Sequence, residues 1–123
     1  MEEMNSILTS TKKQLGIAPD YTHFDADIIM HINSVFMILA QLGVGPSKGF
    51  SITDESAVWT DFIPESAADC LQGVKTYMGK KVGLMFDPPS NSIIMESQNR
   101  IINELEYRLH ILAESIDFDG EEY

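Results

Sequence analysis

Apolar side chains recur at intervals of three, four and seven residues through most of the chain, and that spacing places them on one face of an α-helix. The pattern predicts five helices: from about Ser6 to Leu15, from Thr22 or Asp25 to Leu42, from Thr53 or Asp54 to Phe62, from Pro64 or Ser66 to Met85, and from Ser90 or Ser92 to Leu112. We therefore predict an all-α fold with about five helices in one antiparallel bundle.

The second predicted helix is apolar around almost its whole circumference. Its apolar positions are Ile28, Ile29, Ile32, Val35, Phe36, Leu39 and Leu42. A helix that is hydrophobic nearly all round is usually buried. We expect it to be the central helix of the domain, although neighbouring subunits could supply part of the burial.

A sharp corner at Phe86-Asp87-Pro88-Pro89 separates the last two predicted helices. The two prolines lack a backbone N–H and so end the arriving helix, and a residue before proline is disfavoured in the α region. Ser90 or Ser92 can then cap the last helix. Its apolar stripe, which we expect to face the bundle, is formed by Ile94, Ile101, Ile102, Leu105, Leu109 and Leu112.

The pattern divides the chain into a helical domain, residues 1–113, and a short acidic C-terminal tail, residues 114–123. The tail alternates acids with apolar side chains, and such a segment does not bury enough surface to order itself. Against a basic groove, its apolar groups could anchor and its acids could steer association. The partner-binding residues predicted here are Ile116, Asp117, Phe118, Asp119 and Tyr123. The alternative is a tail that only keeps the protein soluble.

Length and charge restrict the classes of partner. The 123 residues suggest one domain, and 19 acids against 8 Lys and Arg give a net charge of −11. Duplex DNA binding depends on Lys and Arg that displace counterions, so we expect no sequence-specific nucleic-acid partner. The N-terminus lacks the basic region of a signal peptide, and the longest apolar run is too short to span a bilayer. We expect no membrane partner and synthesis in a cytoplasm.

The sequence offers no complete catalytic or metal-binding pattern. Cys70 is the single cysteine, so no intrachain disulfide forms, and we expect it to be buried. The three histidines, His23, His31 and His110, lack zinc-site spacing, and the glycine-rich loop at 43–49 does not match a phosphate-binding loop. We predict no enzyme activity, catalytic residue, metal or cofactor.

Two other functions remain open. Glu114 and Asp117 match half of the carboxylate pattern of an all-α metal-dependent nucleotide phosphohydrolase, but no Glu-x-x-Glu occurs upstream. A metal clamp needs oxygens from both halves. The strong negative charge also permits an acidic helical regulator that imitates DNA, although the acids here are spread over helix starts and the tail.

Motifs distributed along the chain resemble those of the head–tail connector (head-completion adaptor) family of long-tailed phages and prophages. The similar segments are Leu8-Thr9-Ser10-Thr11-Lys12-Lys13, Phe24-Asp25-Ala26-Asp27-Ile28, Gln41-Leu42-Gly43-Val44-Gly45-Pro46, Trp59-Thr60-Asp61-Phe62, Lys75-Thr76-Tyr77, Lys81-Val82, Phe86-Asp87-Pro88-Pro89 and Glu104-Leu105-Glu106-Tyr107-Arg108-Leu109. Their order and spacing, over roughly residues 5–112, carry the resemblance.

The resemblance implies a structural, non-enzymatic function at the head–tail junction of a virion. It implies that copies of the chain form a ring beneath the portal protein and join the capsid to the tail, with DNA passing through the channel. The implied partners are other copies of the chain, the portal, and the next head-completion or tail protein. The protein would be made in the cytoplasm of the bacterial host.

Overall fold

The computed structural model describes residues 5–119, and this part of the chain folds into five α-helices and one 3-10 turn. The helices are α1 (Ile7–Gln14), α2 (Asp25–Gln41), α3 (Trp59–Phe62), α4 (Ala68–Phe86) and α5 (Ser92–Ala113), and the 3-10 turn at Glu65–Ala67 leads into α4. The prediction of an all-α fold with about five helices is confirmed. Its one extended pairing within 5–119 is an isolated antiparallel bridge between Ser6 and Val58.

The helix on which the others pack is α4, which contacts α1, α2 and α5. It runs antiparallel to α2, since the Phe86 ring at its end lies 5.2 Å from the Phe24 ring just before α2. It also runs antiparallel to α5, because Gly73 faces Leu109 and Tyr77 bonds to Glu106. The prediction that α2 is the central helix is therefore wrong: α2 flanks α4 and leaves part of its own surface exposed.

Two glycines inside α4 allow its neighbours to approach closely. A Cβ on Gly79 would lie 1.9 Å from the Gln14 side-chain oxygen, and a Cβ on Gly73 would lie 3.1 Å from Leu109. Gln14 uses this space to donate a 3.0 Å hydrogen bond to the carbonyl oxygen of Lys75. The glycines lower helix propensity. In return, Gly79 allows α1 to pack closely on α4, and Gly73 allows α5 to pack closely on α4.

Aromatic side chains fill the end of the core near the loop at 43–53. The Phe36 ring lies 4.7 Å from Phe62 and 5.0 Å from Phe50, in tilted and edge-on arrangements that aromatic pairs favour. Trp59 is 1% exposed and donates a 2.9 Å hydrogen bond to the Ser10 hydroxyl. Trp59 is therefore anchored in the core.

Side-chain partners help to decide where the helices begin. The first helix begins next to Ser6, as predicted, and Ser6 caps α1 by accepting the Thr9 N–H. Asp54 instead accepts from the hydroxyl and N–H of Ser56, which lowers the pKa of Asp54, and α3 begins only at Trp59. Before α2, Phe24 occupies the N-cap position without a capping side chain, because Asp25 faces Lys12.

Candidate interaction surfaces

The corner at 86–89 joins α4 to α5 as a hairpin turn. Phe86 is the last residue of α4, and the Asp87 N–H still donates to the Gly83 carbonyl oxygen at 2.8 Å. The N-cap of α5 is Asn91, whose side-chain oxygen accepts the N–H groups of Ile93 at 2.8 Å and Ile94 at 3.2 Å. The prediction of Ser90 or Ser92 as the cap is wrong, because Ser92 is already the first helical residue.

Phe86 is the member of the corner that packs inward, against Phe24. Asp87 and Pro88 are exposed, whereas Pro89 is half-buried. Pro89 and Asp87 line an open cavity of about 300 Å³ together with Gln14, Lys80 and Gln98. The corner therefore presents a small recess of mixed polar and apolar lining between α1, α4 and α5.

The first part of the acidic tail folds back on the helical domain. Ile116 and Phe118 are half-buried and pack against the core, so the expectation that this segment stays unordered by itself is wrong for these two residues. The Asp119 side chain accepts the Ser47 N–H at 2.9 Å, and Asp117 accepts the Asp119 N–H at 3.2 Å. Binding to a partner by this segment stays a prediction, and Tyr123 lies outside the described residues.

The tail reaches the loop at 43–49, where three glycines adopt positive φ. An open cavity of about 560 Å³ lies between the loop end and the tail. The residues that line it include Pro46, Lys48, Phe62, Asp117 and Phe118. The backbone N–H of Ser47 in this loop thus donates to the carboxylate of Asp119 in the same chain. Local pattern could not indicate this contact, because it joins residues 72 positions apart.

Two helices retain exposed apolar side chains that the sequence pattern assigned to the interior or did not single out. On α2, Met30 and Met37 are each 59% exposed. On α5, the residues that face the core are Ile102, Leu109 and Ala113, so the predicted stripe is wrong for Ile94, Ile101 and Leu112. The exposed apolar residues of α5 are Ile93, Ile94, Ile101, Tyr107, Ile111 and Leu112. The sequence did carry a signal of this exposure, because the apolar arc of the helix is wider than the surface that one neighbouring helix can cover.

Three lysines of α4, Lys75, Lys80 and Lys81, form a basic cluster, part of which has partners within the chain. Lys81 Nζ lies 3.8 Å from Glu106 Oε2, and the same oxygen accepts a 2.7 Å hydrogen bond from Tyr77. Lys80 lines the recess at the corner. Lys81 therefore pairs with an acid of α5 in the same chain.

The residues suited to chemistry are dispersed in the described part of the chain. Within 5–119, no group of three or more His, Cys, Asp or Glu is placed to hold a metal ion. Cys70 is buried as expected, and burial raises the pKa of its thiol. The phosphohydrolase pattern requires Glu114 and Asp117 to lie on one face of a helix. Because α5 ends at Ala113, they do not. No helix described here has the length and apolarity needed to span a membrane.

Comparison with protein families gives one match. A family model described as "Phage connector protein" matches residues 7–115, which is most of the chain and contains all five helices. The chain belongs to the phage connector protein family. No curated protein and no solved structure matches it. Membership gives it a head–tail connector role as a virion component and implies a structural rather than an enzymatic function.

In this connector, the motifs that resemble the family supply contacts between helices. Ser10 binds Trp59, and Tyr77 binds Glu106 across α4 and α5. Lys12 Nζ lies 2.8 Å from Asp25 Oδ1 in an ion pair, while its hydrogen bond goes to the Pro19 carbonyl oxygen at 3.1 Å. These motif residues therefore hold the fold together, and the exposed surfaces lie largely beside them.

Proposed function

We propose that copies of the chain assemble as a closed ring beneath the portal and join the capsid to the tail, with DNA passing through the central channel. The observation that carries the proposal is the family match over residues 7–115. The portal and the next head-completion or tail protein are the proposed partners above and below the ring. Contacts between unlike surfaces of identical subunits generate a ring when the rotation closes.

The negative net charge of the chain is compatible with a channel that DNA crosses without binding to its wall. With −11 per chain, a ring lined by these subunits attracts no phosphates and lets DNA pass without sticking. Duplex affinity at physiological salt is therefore expected to be negligible. A micromolar dissociation constant that weakens with added salt would contradict this part of the proposal.

The proposed contact with the portal uses the tail residues Ile116, Asp117, Phe118 and Asp119. In the isolated chain Ile116 and Phe118 pack on the core and Asp119 holds the Ser47 N–H. Docking would exchange these contacts for a groove on the partner, with the apolar side chains as anchors. The tail would then leave its own loop when the connector reaches the portal.

The ring is tested by electron microscopy of portal-bearing heads mixed with the purified chain. We expect ring-shaped density below the portal, and heads that bind the chain only as scattered monomers would overturn the ring. The tail is tested in the same assay with a chain that ends at Ala113. Loss of portal binding with unchanged helicity is the expected result, whereas undiminished binding would remove the tail from the contact.

A substitution at Asp119 separates docking from intramolecular packing. Asp119→Ala removes the bond to Ser47 and also the proposed contact of Asp119 with the portal, while it keeps Ile116 and Phe118, so it should loosen the tail and weaken portal binding. The matched control is Asp20→Ala, which also removes one exposed acid, in the loop before α2. Weaker portal binding by Asp119→Ala but not by Asp20→Ala is the expected result, whereas unchanged or stronger binding by Asp119→Ala would remove Asp119 from the portal contact.

A further inference from the structure

The outer surface of α2 is apolar and carries almost no charge. Met30 and Met37 are each 59% exposed, and Ser34 and Gln41 lie on the same side at helical spacing. We call these four residues the α2 face. No Asp, Glu, Lys or Arg occurs between Asp27 and Lys48, although such residues make up 22% of the chain. Solvated helix faces usually carry charged side chains, so the α2 face has the character of a covered surface.

A second uncovered surface lies on α5. Ile94, Ile101 and Leu112 are 49%, 43% and 38% exposed, and Arg108 lies on the same side between the last two. We call these four residues the α5 face. It is separate from the core-facing side, where Ile102 and Leu109 are 1% exposed. The two faces belong to α2 and α5, which both pack on α4, and Nδ1 of His110 on α5 lies 2.9 Å from the carbonyl oxygen of Leu42 at the end of α2.

The spacing of the two faces is matched. Met30 and Met37 are seven residues apart, as are Ile94 and Ile101 and also Ile101 and Arg108. Seven residues correspond to about 10.5 Å along a helix. Apolar positions repeated every seven residues let two helices lie side by side with their side chains interleaved. An α2 helix of one copy and an α5 helix of another can therefore place two apolar residues of one face opposite two apolar residues of the other.

Charge favours contact between these two faces over other pairings. Each copy carries −11, so copies repel one another except where the touching surfaces lack acids. The α2 face has no charged side chain, and its nearest charge is Asp27, one turn before Met30. The α5 face contributes the cation of Arg108, which pairs with Glu104 in the isolated chain. Because the α2 face carries no charged side chain, joining it to the α5 face places no acid of one face against an acid of the other.

We infer that the α2 face of one copy packs against the α5 face of the next copy. The inference deepens the proposed ring by assigning the surfaces through which subunits contact each other. Because the two faces differ, each copy presents one to each neighbour, and the contact is heterologous. Such a contact continues from copy to copy until it closes, which is what a ring requires.

Cross-linking tests the pairing directly. The variant Met37→Cys/Ile101→Cys should give a ladder of covalent multimers when it is oxidised on portal-bearing heads. Met37→Cys alone should give none, because a heterologous contact does not bring two copies of Met37 together. The unmodified chain is the control for Cys70, which is 1% exposed. Dimers from Met37→Cys alone, or no ladder from the double variant, would overturn the pairing.

Charge variants give a second, independent measurement. Met37→Glu should raise the concentration needed for assembly by at least about tenfold, equivalent to about 1.4 kcal/mol, and adding Ile101→Lys should restore much of the loss. Gln72→Glu, on the exposed side of α4, adds the same charge elsewhere and should leave assembly unchanged. An equal loss from Gln72→Glu, or no rescue by Ile101→Lys, would contradict the inference.

Failure of the inference can be told apart from failure of the proposed function. If the unmodified chain forms rings on heads but the double cysteine variant gives no ladder, the faces are wrong and the ring stands. If the unmodified chain forms no rings, the proposed ring itself is wrong. If Met37→Glu abolishes binding to the portal before any multimer forms, the α2 face contacts the portal instead of a second copy.

Discussion

The Tyr77 hydroxyl donates a 2.7 Å hydrogen bond to Glu106 Oε2 and so joins α4 to α5. Tyr77 is fully buried, and Lys81 Nζ lies 3.8 Å from the same carboxylate oxygen. Burial raises the pKa of Tyr77 above its ordinary range, and the hydrogen bond to Glu106 and its negative charge raise it further. The folded hairpin therefore depends on a protonated phenol.

We predict that this phenol makes the fold sensitive to alkali. The folded state holds the Tyr77 proton more tightly than the unfolded chain, in which the pKa of tyrosine is about 10. The stabilisation is thus complete below pH about 10 and is lost as the pH rises above that value. Ultraviolet titration should show one tyrosine that ionises only as helicity disappears. Tyr77→Phe should abolish that late phase, and its persistence in the variant would contradict the assignment.

The buried ion pair between Lys12 and Asp25 gives a second prediction. The Lys12 side chain is 2% exposed and that of Asp25 is 24% exposed, with 2.8 Å between Nζ and Oδ1. Removing one member of a buried pair leaves the other charge uncompensated, at a cost of about 3–5 kcal/mol. Because the Asp25 carboxylate keeps access to water, Lys12→Ala should lower the free energy of unfolding in urea by less than that, about 1–3 kcal/mol. Lys13→Ala, next to it but exposed, should change it by less than about 0.5 kcal/mol; similar losses from both would show that the pair contributes little.

The helices could be predicted from the sequence because apolar periodicity reports directly on which residues share a face. The number of helices followed from it, the corner before Pro88 followed from the two prolines, and the burial of Cys70 followed from its apolar character. Periodicity does not show which part of an apolar arc a neighbour covers. For this reason Met37 and Ile101 could not be recognised as exposed, although the wide apolar arc around them was visible.

Contacts between distant parts of the chain account for the remaining differences. The tail is unlike a folded segment in composition, yet Ile116 and Phe118 find partners on the core. Asp25 is a good capping residue, but Lys12 lies beside it, and this neighbour is known only once α1 and α2 have packed. Competition among nearby capping residues explains the miss at α5, where Asn91 lies between two serines of similar preference.

The cap of α5 can be tested against its predicted alternatives. Asn91 accepts two backbone N–H groups of the first turn, so Asn91→Ala should cost about 1 kcal/mol of stability. Ser90→Ala is a matched control, since Ser90 is adjacent and exposed but does not occupy the cap position. Urea unfolding of both variants measures the difference. A larger loss from Ser90→Ala would return the cap to the residue that the sequence pattern favoured.

Gly45, beside the aromatic cluster, combines a positive φ with a close aromatic neighbour. Gly45 has φ +98°, and a Cβ there would lie 2.5 Å from Phe62 Cε1. Phe62 is 3% exposed, and its ring is held by Phe36 at 4.7 Å and Phe50 at 5.2 Å, so it has little room to move. Gly45→Ala therefore combines backbone strain of about 1–2 kcal/mol with overpacking of about 1–3 kcal/mol.

Gly49→Ala separates the two contributions. Gly49 also has positive φ, +88°, but a Cβ there would have nothing within 4 Å. It should therefore show the backbone strain alone, about 1–2 kcal/mol, while Gly45→Ala should lose the additional packing energy. Phe62→Leu added to Gly45→Ala should recover part of that difference by giving the new methyl group space. Equal losses from Gly45→Ala and Gly49→Ala in thermal unfolding would mean that the Phe62 ring moves aside, and that the cluster is less tightly packed than the distances indicate.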